Sequence, residues 1–279
     1  MMILRTTAEM RRQSRAWHRA DETVGFVPTM GYLHEGHMSL VREAAKRCAR
    51  VVVSIFVNPT QFGPNEDLAA YPRDFARDEA LCRAAGVDAV FYPVAGEMYA
   101  ADHSTWVVEE SLTRTLCGAS RPGHFRGVTT VVAKLFHAVE PEVAVFGRKD
   151  AQQALVIERM VRDLDFAVEV VVAPLIREPD GLAMSSRNKY LDADQRQRAL
   201  AISRGLALAV RKYERGERDA GALCATVADG IRAAGGEIDY VELVSRADLC
   251  PAPRAEGPVL LAVAARFGAT RLIDNVFLG

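Results

Sequence analysis

Three features predict an α/β fold, a Rossmann-like parallel sheet with helices on both faces, followed by a smaller C-terminal α+β domain. From Val24 to about Pro174, β-branched runs alternate with amphipathic helical stretches, the pattern of a parallel sheet covered by helices. Most of those runs lack polar alternation, as strands buried on both faces do. After the segment REPDGLAMSSRN the texture changes to long Ala/Arg/Leu-rich helical stretches and three extended segments. At 279 residues the chain has room for two cores, and the texture change divides it into domains 1–176 and 177–279.

The strands are expected at VGFVPTM (24–30), VVVSIFV (51–57), DAVFYP (88–93), EVAVFG (142–147) and AVEVVVAP (167–174). Between the first two, Leu40, Val41, Ala44, Ala45 and Cys48 share one helical face, and Arg42, Glu43, Lys46 and Arg47 the other. Val128, Val131, Val132, Leu135, Phe136 and Val139 repeat that pattern further on. In the second domain a helix is expected from about Asp192 to Glu214, then a shorter one. EIDYVELVS, PVLLAVAAR and TRLIDNVFL follow as extended segments, with PAPRAEGP (251–258) as an exposed loop.

Charge is nearly balanced, 35 Lys+Arg against 36 Asp+Glu, which argues against a nucleic-acid or membrane surface. The five cysteines form no C-x-x-C pair, so neither a zinc knuckle nor a redox motif is written, and their odd number argues against a disulfide framework. The start of the chain is basic but lacks the apolar core of a secretory signal, and no apolar run reaches membrane-spanning length. A reducing, cytoplasmic setting is expected.

Four loops carry groups suited to chemistry. PTMGYLHEGHMSL leaves the first strand through a glycine turn and enters a helix, with His34 and His37 flanking Glu35 and Gly36. In open α/β sheets ligands collect at strand carboxyl ends, and a following helix N-terminus attracts phosphate. Imidazoles there can donate to phosphate oxygens. A capped helix with two surface histidines is the plainer alternative. Zinc is disfavoured, because the histidines stand three apart across a glycine rather than four apart on a helix. VNPTQFGPNEDLAAYPRD offers the amides of Asn58 and Gln61 at a strand end, or is an ordinary Pro/Gly connection. FGRKDAQQALVIERM places Lys149 and Gln153 four apart near a helix start, where a lysine either meets phosphate or lies on a solvated face. LAMSSRN puts two hydroxyls beside Arg187, a compact phosphate grip, and RPGHFRG is a second basic loop with Arg121, His124 and Arg126. P-loop, dinucleotide and nucleophile-elbow motifs are all missing.

Taken in order, PTMGYLHEGH, VNPTQFGPNED, RPGHFRGV, FGRKDAQQ, DGLAMSSRN and TRLIDN resemble the pantothenate synthetase family over nearly the whole chain. The resemblance implies the H-x-G-H nucleotide-binding fold shared with class I aminoacyl-tRNA synthetases and nucleotidylyltransferases. It implies a two-step ligation: (R)-pantoate and ATP give pantoyl adenylate and pyrophosphate, then β-alanine attacks to give pantothenate and AMP. Mg²⁺ accompanies ATP.

By the same resemblance His34, His37, Lys149 and Arg187 are the catalytic set, with His37 as proton donor. Met30, Gly31, Tyr32, Leu33, His34, Glu35, Gly36 and His37 line the ATP site. Gly147, Arg148, Lys149, Asp150, Ile176, Met184, Ser185, Ser186 and Arg187 supply further ATP contacts. Gln61 and Gln153 hold pantoate, Gln61 also lying near β-alanine. Members are commonly homodimers. Arg148 stands where the family commonly has an acidic residue and Ala151 where it has an aromatic. Metal ligands are left unassigned, Asp78 being conceivable. The rivals are a nucleotidylyltransferase that keeps AMP on its product, separable by product analysis, and a non-catalytic nucleotide-binding module, separable by turnover.

Overall fold

The computed structural model describes residues 1–64 and 66–279, and the chain divides into two compact units. The first comprises Met1–Glu109, Arg121–Arg148 and Gln153–Pro174; the second comprises Glu110–Ser120, Lys149–Gln152 and Leu175–Gly279.

In the first unit β1 (Met2–Leu4), α1 (Thr7–Arg19), β2 (Val24–Thr29), α2 (Glu35–Ala45) and β3 (Arg50–Ile55) lead to α3 (Phe75–Ala84), β4 (Ala89–Phe91) and the short α4 (Ala95–Met98). The chain leaves for α5 (Leu116–Ser120) in the second unit and returns through α6 (His124–Val139), β5 (Val143–Gly147), most of α7 (Ala151–Asp163) and β6 (Glu169–Ala173). The six strands are all parallel, in the order β1-β4-β3-β2-β5-β6. β1 and α1 were not expected. Three residues are too few to show a period, and β1 exists because Met2, Ile3 and Leu4 pair with Ala89, Val90 and Phe91 of β4. α1 is set locally, by a capping box between Thr6 and Glu9, and buries Met10, Ser14 and Trp17.

Both faces of this sheet are covered. Val27, Val53, Val143 and Val145 pack with Leu40, Val41 and Ala44 of α2 and Cys82 of α3. On the other face Phe26 and Phe146 meet Phe136 of α6 edge to face, at ring separations of 6.4 and 6.5 Å. Side chains alternate along a strand, so a run such as Val-Val-Val serves both layers at once.

The order runs outward from β2 to β4, then returns to β5 on the other side, which puts the topological switch point between β2 and β5. Proline opens it. Glu142 N–H donates to Val24 O, so Val24, Phe26 and Pro28 turn their backbone groups toward β5. Pro28 has no N–H to offer, and the β2–β5 register stops at Phe26↔Ala144.

The second unit is an antiparallel sheet of β7 (Glu237–Ser245), β8 (Val259–Phe267) and β9 (Thr270–Leu278), with α8 (Ala193–Glu214) and α9 (Ala220–Ala233) on one face. Asp192 caps α8 in a capping box with Gln195. Ile202, Leu206, Leu223, Val227 and Ile231 of the helices meet Leu261, Val263 and Phe267 of β8. Among the described residues no helix is long and apolar enough to cross a membrane.

Candidate active site

The chain leaves β2 through a turn that needs left-handed backbone at Gly31 (φ +85°) and Tyr32 (φ +50°). Asp78 of α3 holds that turn: its carboxylate accepts from Tyr32 N–H and Leu33 N–H, each at 2.7 Å. It is 1% exposed, and burial raises its carboxyl above the ordinary range against the pull of those two N–H groups. Both oxygens serve the turn, so Asp78 is a scaffold for Tyr32 and Leu33. Among the described residues no group of three or more His, Cys, Asp or Glu is placed to hold a metal ion. Asp78→Ala removes the acceptor of two backbone donors and is expected to lower unfolding free energy by at least about 2 kcal/mol. Urea denaturation checks this, and an unchanged midpoint would mean the turn stands without it.

The turn delivers His34 as N-cap of α2 and His37 as its third residue. Their rings lie 4.0 Å apart, tilted by 36°. His34 N–H donates to His37 Nδ1 at 3.2 Å. An accepting Nδ1 carries no proton, so neutral His37 carries its proton on Nε2 and is a donor there.

Asn58, 1% exposed after β3, organises the next loop. Its Nδ2 donates to Gln61 Oε1 and to Gly127 O, each at 3.1 Å. Its Oδ1 accepts from Thr60 Oγ1 and Tyr99 OH, each at 2.9 Å. With the Gln61 oxygen held, the Gln61 amide nitrogen lies 3.1 Å from Met30 Sδ. The first two motifs are thereby brought together within the first unit. α6 approaches so closely that a Cβ on Gly127 would sit 2.4 Å from Thr60 O.

The RPGHFRG motif supports the same loop from behind. Arg121 binds both carboxylate oxygens of Glu66 at 2.6 Å, and its Nη2 donates to Gln61 O at 3.2 Å. His124 Nδ1 lies 2.9 Å from that oxygen and must donate, which leaves Nε2 to accept from Arg121 Nη1 at 3.0 Å. Burial pushes the Glu66 carboxyl up, but the hydrogen bonds and charge of Arg121 outweigh it and hold the group at about 2, against an ordinary 4.5. The folded value is the lower one. The pairing therefore stabilises fully above about pH 4.5 and is lost as pH falls toward 2. In Arg121→Ala the main lowering cause is gone while burial and the weaker pull of Gly63 N–H and His124 remain, so Glu66 is expected to titrate well above 2. Carbon-13 NMR of the carboxyl measures this; a midpoint left near 2 would exclude Arg121 as the cause.

In the first unit β5 lies beside β2 in the sheet and ends at Gly147, so the Arg148 turn starts at the switch point. Lys149 lies in a 3-10 turn, Arg148–Asp150, ahead of α7. Its Nζ stands 3.8 Å from Asp150 Oδ2. The two adjacent glutamines separate. Gln152 is 6% exposed in the second unit, accepting from Cys117 N–H and donating to Leu112 O and Thr115 O. Gln153 belongs to the first unit and keeps partial exposure.

Residues 176–184 of the second unit form a small hairpin. Met184 N–H donates to Ile176 O at 3.0 Å, an Arg177↔Ala183 bridge follows, and Gly181 (φ +98°) turns the tip. Arg177 braces it, donating to Gly181 O and bidentately to Asp274. Ser185 then caps the 3-10 turn Ser186–Tyr190, its Oγ accepting from Arg187 N–H at 3.3 Å. Ile176, Met184, Ser185, Ser186 and Arg187 are thus parts of one braced loop.

A sequence model described as pantoate-beta-alanine ligase matches residues 2–277. The chain belongs to the pantoate–β-alanine ligase family. It is 55% identical to a pantothenate synthetase of Pelotomaculum thermopropionicum, covering 100% of this chain and 99% of that one. A crystal structure of pantothenate synthetase from Thermus thermophilus superposes with a TM-score of 0.93 at 46% identity, covering 99% of each chain. The ligase from Francisella tularensis, described as complexed with beta-gamma ATP and beta-alanine, gives 0.84 at 31% identity, covering 99% of this chain and 97% of that one. The chain is accordingly an enzyme, a ligase of pantothenate biosynthesis.

Several supports of this ligase's loops carried no readable signal. Tyr99 follows a helix of four residues, Glu66 is one carboxylate in a polar loop, and Gly127 sits inside a helix. Each acts through a partner 41 to 69 residues away. Spacing along the chain does not encode such distances.

Proposed function

We propose that this ligase condenses (R)-pantoate with β-alanine, using ATP and releasing AMP and pyrophosphate, through a pantoyl-adenylate intermediate. The observation that carries the reading is the His34–His37 pair at the N-terminus of α2, beside the switch point, with Gln61 oriented next to Met30. Attack of a carboxylate on the α-phosphorus needs alignment and charge neutralisation more than a strong base. His37 Nε2–H, His34, the Lys149 ammonium and the Arg187 guanidinium are assigned to the developing phosphate charge.

The stretch Met30 to His37 is assigned to ATP, together with Gly147, Arg148, Asp150, Ile176, Met184, Ser185 and Ser186. Asn58 holds the Gln61 oxygen, which leaves the Gln61 NH₂ to donate to the pantoate carboxylate or hydroxyls and to lie near β-alanine. Gln153 is assigned to pantoate. Mg²⁺ would arrive with ATP as part of the substrate and would neutralise phosphate charge, with its protein ligands left unassigned. The second step needs a neutral β-alanine amine and an adenylate shielded from water. The relative described as complexed with beta-gamma ATP and beta-alanine supports both substrates. The proposal extends to domains 1–176, for ATP and pantoate, and 177–279, carrying the phosphate-gripping loop near its start. It further extends to a cytoplasmic homodimer.

The test is exchange of labelled pyrophosphate into ATP with Mg²⁺ and no β-alanine. Exchange that requires pantoate is expected, followed on adding β-alanine by equal amounts of AMP and pantothenate. Absence of exchange while ATP binding is measurable would overturn the assignment of pantoate, and AMP retained on the product would favour a nucleotidylyltransferase.

A further inference from the structure

The TRLIDN motif near the C-terminus has no part in the chemistry above, yet it holds two adjacent buried polar residues, Asp274 at 3% and Asn275 at 6% exposure. On β9 the even-numbered Leu272, Val276 and Leu278 pack into the core beneath α8 and α9. Successive residues of a strand face opposite ways, so Asn275 is buried on the other side of the sheet. There its Nδ2 donates to the backbone carbonyl of Lys149 at 3.0 Å. Asp274 steadies the backbone that carries that amide: its carboxylate accepts the Asn275 main-chain N–H at 2.7 Å and is itself held by Arg177 at 2.6 and 3.0 Å.

The stretch Lys149–Gln152 is therefore tied at both ends within the second unit. Asn275 takes the Lys149 carbonyl, and the Gln152 side chain makes three bonds to the 112–117 backbone. A lysine side chain is long and flexible, so presetting its ammonium requires first that the backbone carrying it be fixed. We propose that Asn275 is a positioning residue for Lys149, setting where its ammonium stands for the adenylation step. This rests on the assignment of Lys149 to the ATP phosphates.

A double-mutant cycle on pantoate-dependent pyrophosphate exchange tests it, using Asn275→Ala, Lys149→Ala and the pair. Asn275→Ala is expected to lower kcat about tenfold with the KM for ATP little changed, and to cost almost nothing further once Lys149 is alanine. Amide hydrogen exchange in the 148–153 segment, measured by mass spectrometry, is expected to quicken in Asn275→Ala. Equal losses in both backgrounds would mark Asn275 as merely structural and overturn the inference, as would wild-type kinetics in the single variant. Asn275→Asp keeps the size and removes the donor, so the same cycle can be run if the alanine variant does not fold. If wild-type protein shows no pantoate-dependent exchange, it is the proposed adenylation that fails, and with it the role assigned to Lys149. The tether is then judged on hydrogen exchange alone: quickening supports it and unchanged protection overturns it.

Discussion

His37→Ala lowers pantoate-dependent pyrophosphate exchange by roughly 100- to 1,000-fold, the scale of losing one preorganised donor to a transition state. The Nδ1 atom is occupied by the His34 N–H, so the substitution deletes an Nε2–H donor whose tautomer the helix cap has already chosen. It also deletes half of that cap, which alone costs about 1 kcal/mol. His37→Gln separates the two effects. Glutamine at the third helical position can reach back to the N-cap N–H, restoring the cap without an imidazole. Its melting temperature is expected to match wild type while exchange stays impaired. Near-normal exchange in either purified variant would remove His37 from the chemistry.

Gly127→Ala is expected to be nearly as damaging, although it adds one methyl group at a residue with no functional group of its own. That carbon would lie 2.4 Å from Thr60 O, 2.6 Å from Thr60 C and 2.7 Å from Gln61 N, all backbone atoms of the 3-10 turn Pro59–Gln61. Helix or turn must give way, and the bond from Asn58 to Gly127 O ties the two together. Overpacking of this kind costs about 1–3 kcal/mol of stability. Displacing Gln61 by an ångström costs on the order of 100-fold in rate. The KM for pantoate and the exchange rate would be measured together with thermal unfolding. A variant that melts lower but binds pantoate and turns over normally would show that Gln61 tolerates the shift.

Much of the fold was legible because it follows from local period. The unbroken run Val51–Val52–Val53 reads as a strand covered on both faces, and the 3.6-residue spacing of Leu40, Val41 and Ala44 reads as a helix packing on it. β1 was not legible, since three residues show no period and Met2–Leu4 becomes a strand only by pairing with β4. In the loops the H-x-G-H turn, Gln61, and the Lys149 and Ser185–Arg187 segments could be picked out from residue type and position, whereas Asn58, whose amide the sequence offered to a ligand, is 1% exposed and bonded to Gln61, Gly127, Thr60 and Tyr99. The part Asp78 plays in the turn was not legible: nothing in its sequence position shows that its carboxylate accepts the N–H groups of Tyr32 and Leu33.

By itself the sequence determined the layers, the strand-turn-helix context of the histidines and the ordered set of motifs that marks the family. Tertiary structure alone decided which atom of His37 carries the proton, which end of the Gln61 amide Asn58 holds, and which of Gln152 and Gln153 is consumed by backbone. The physical reason is that period and propensity act over a few residues, whereas a hydrogen bond depends on distance and angle between groups that lie far apart in the chain. Asn275 and Lys149 lie 126 residues apart. Only the folded sheet brings that amide to that carbonyl.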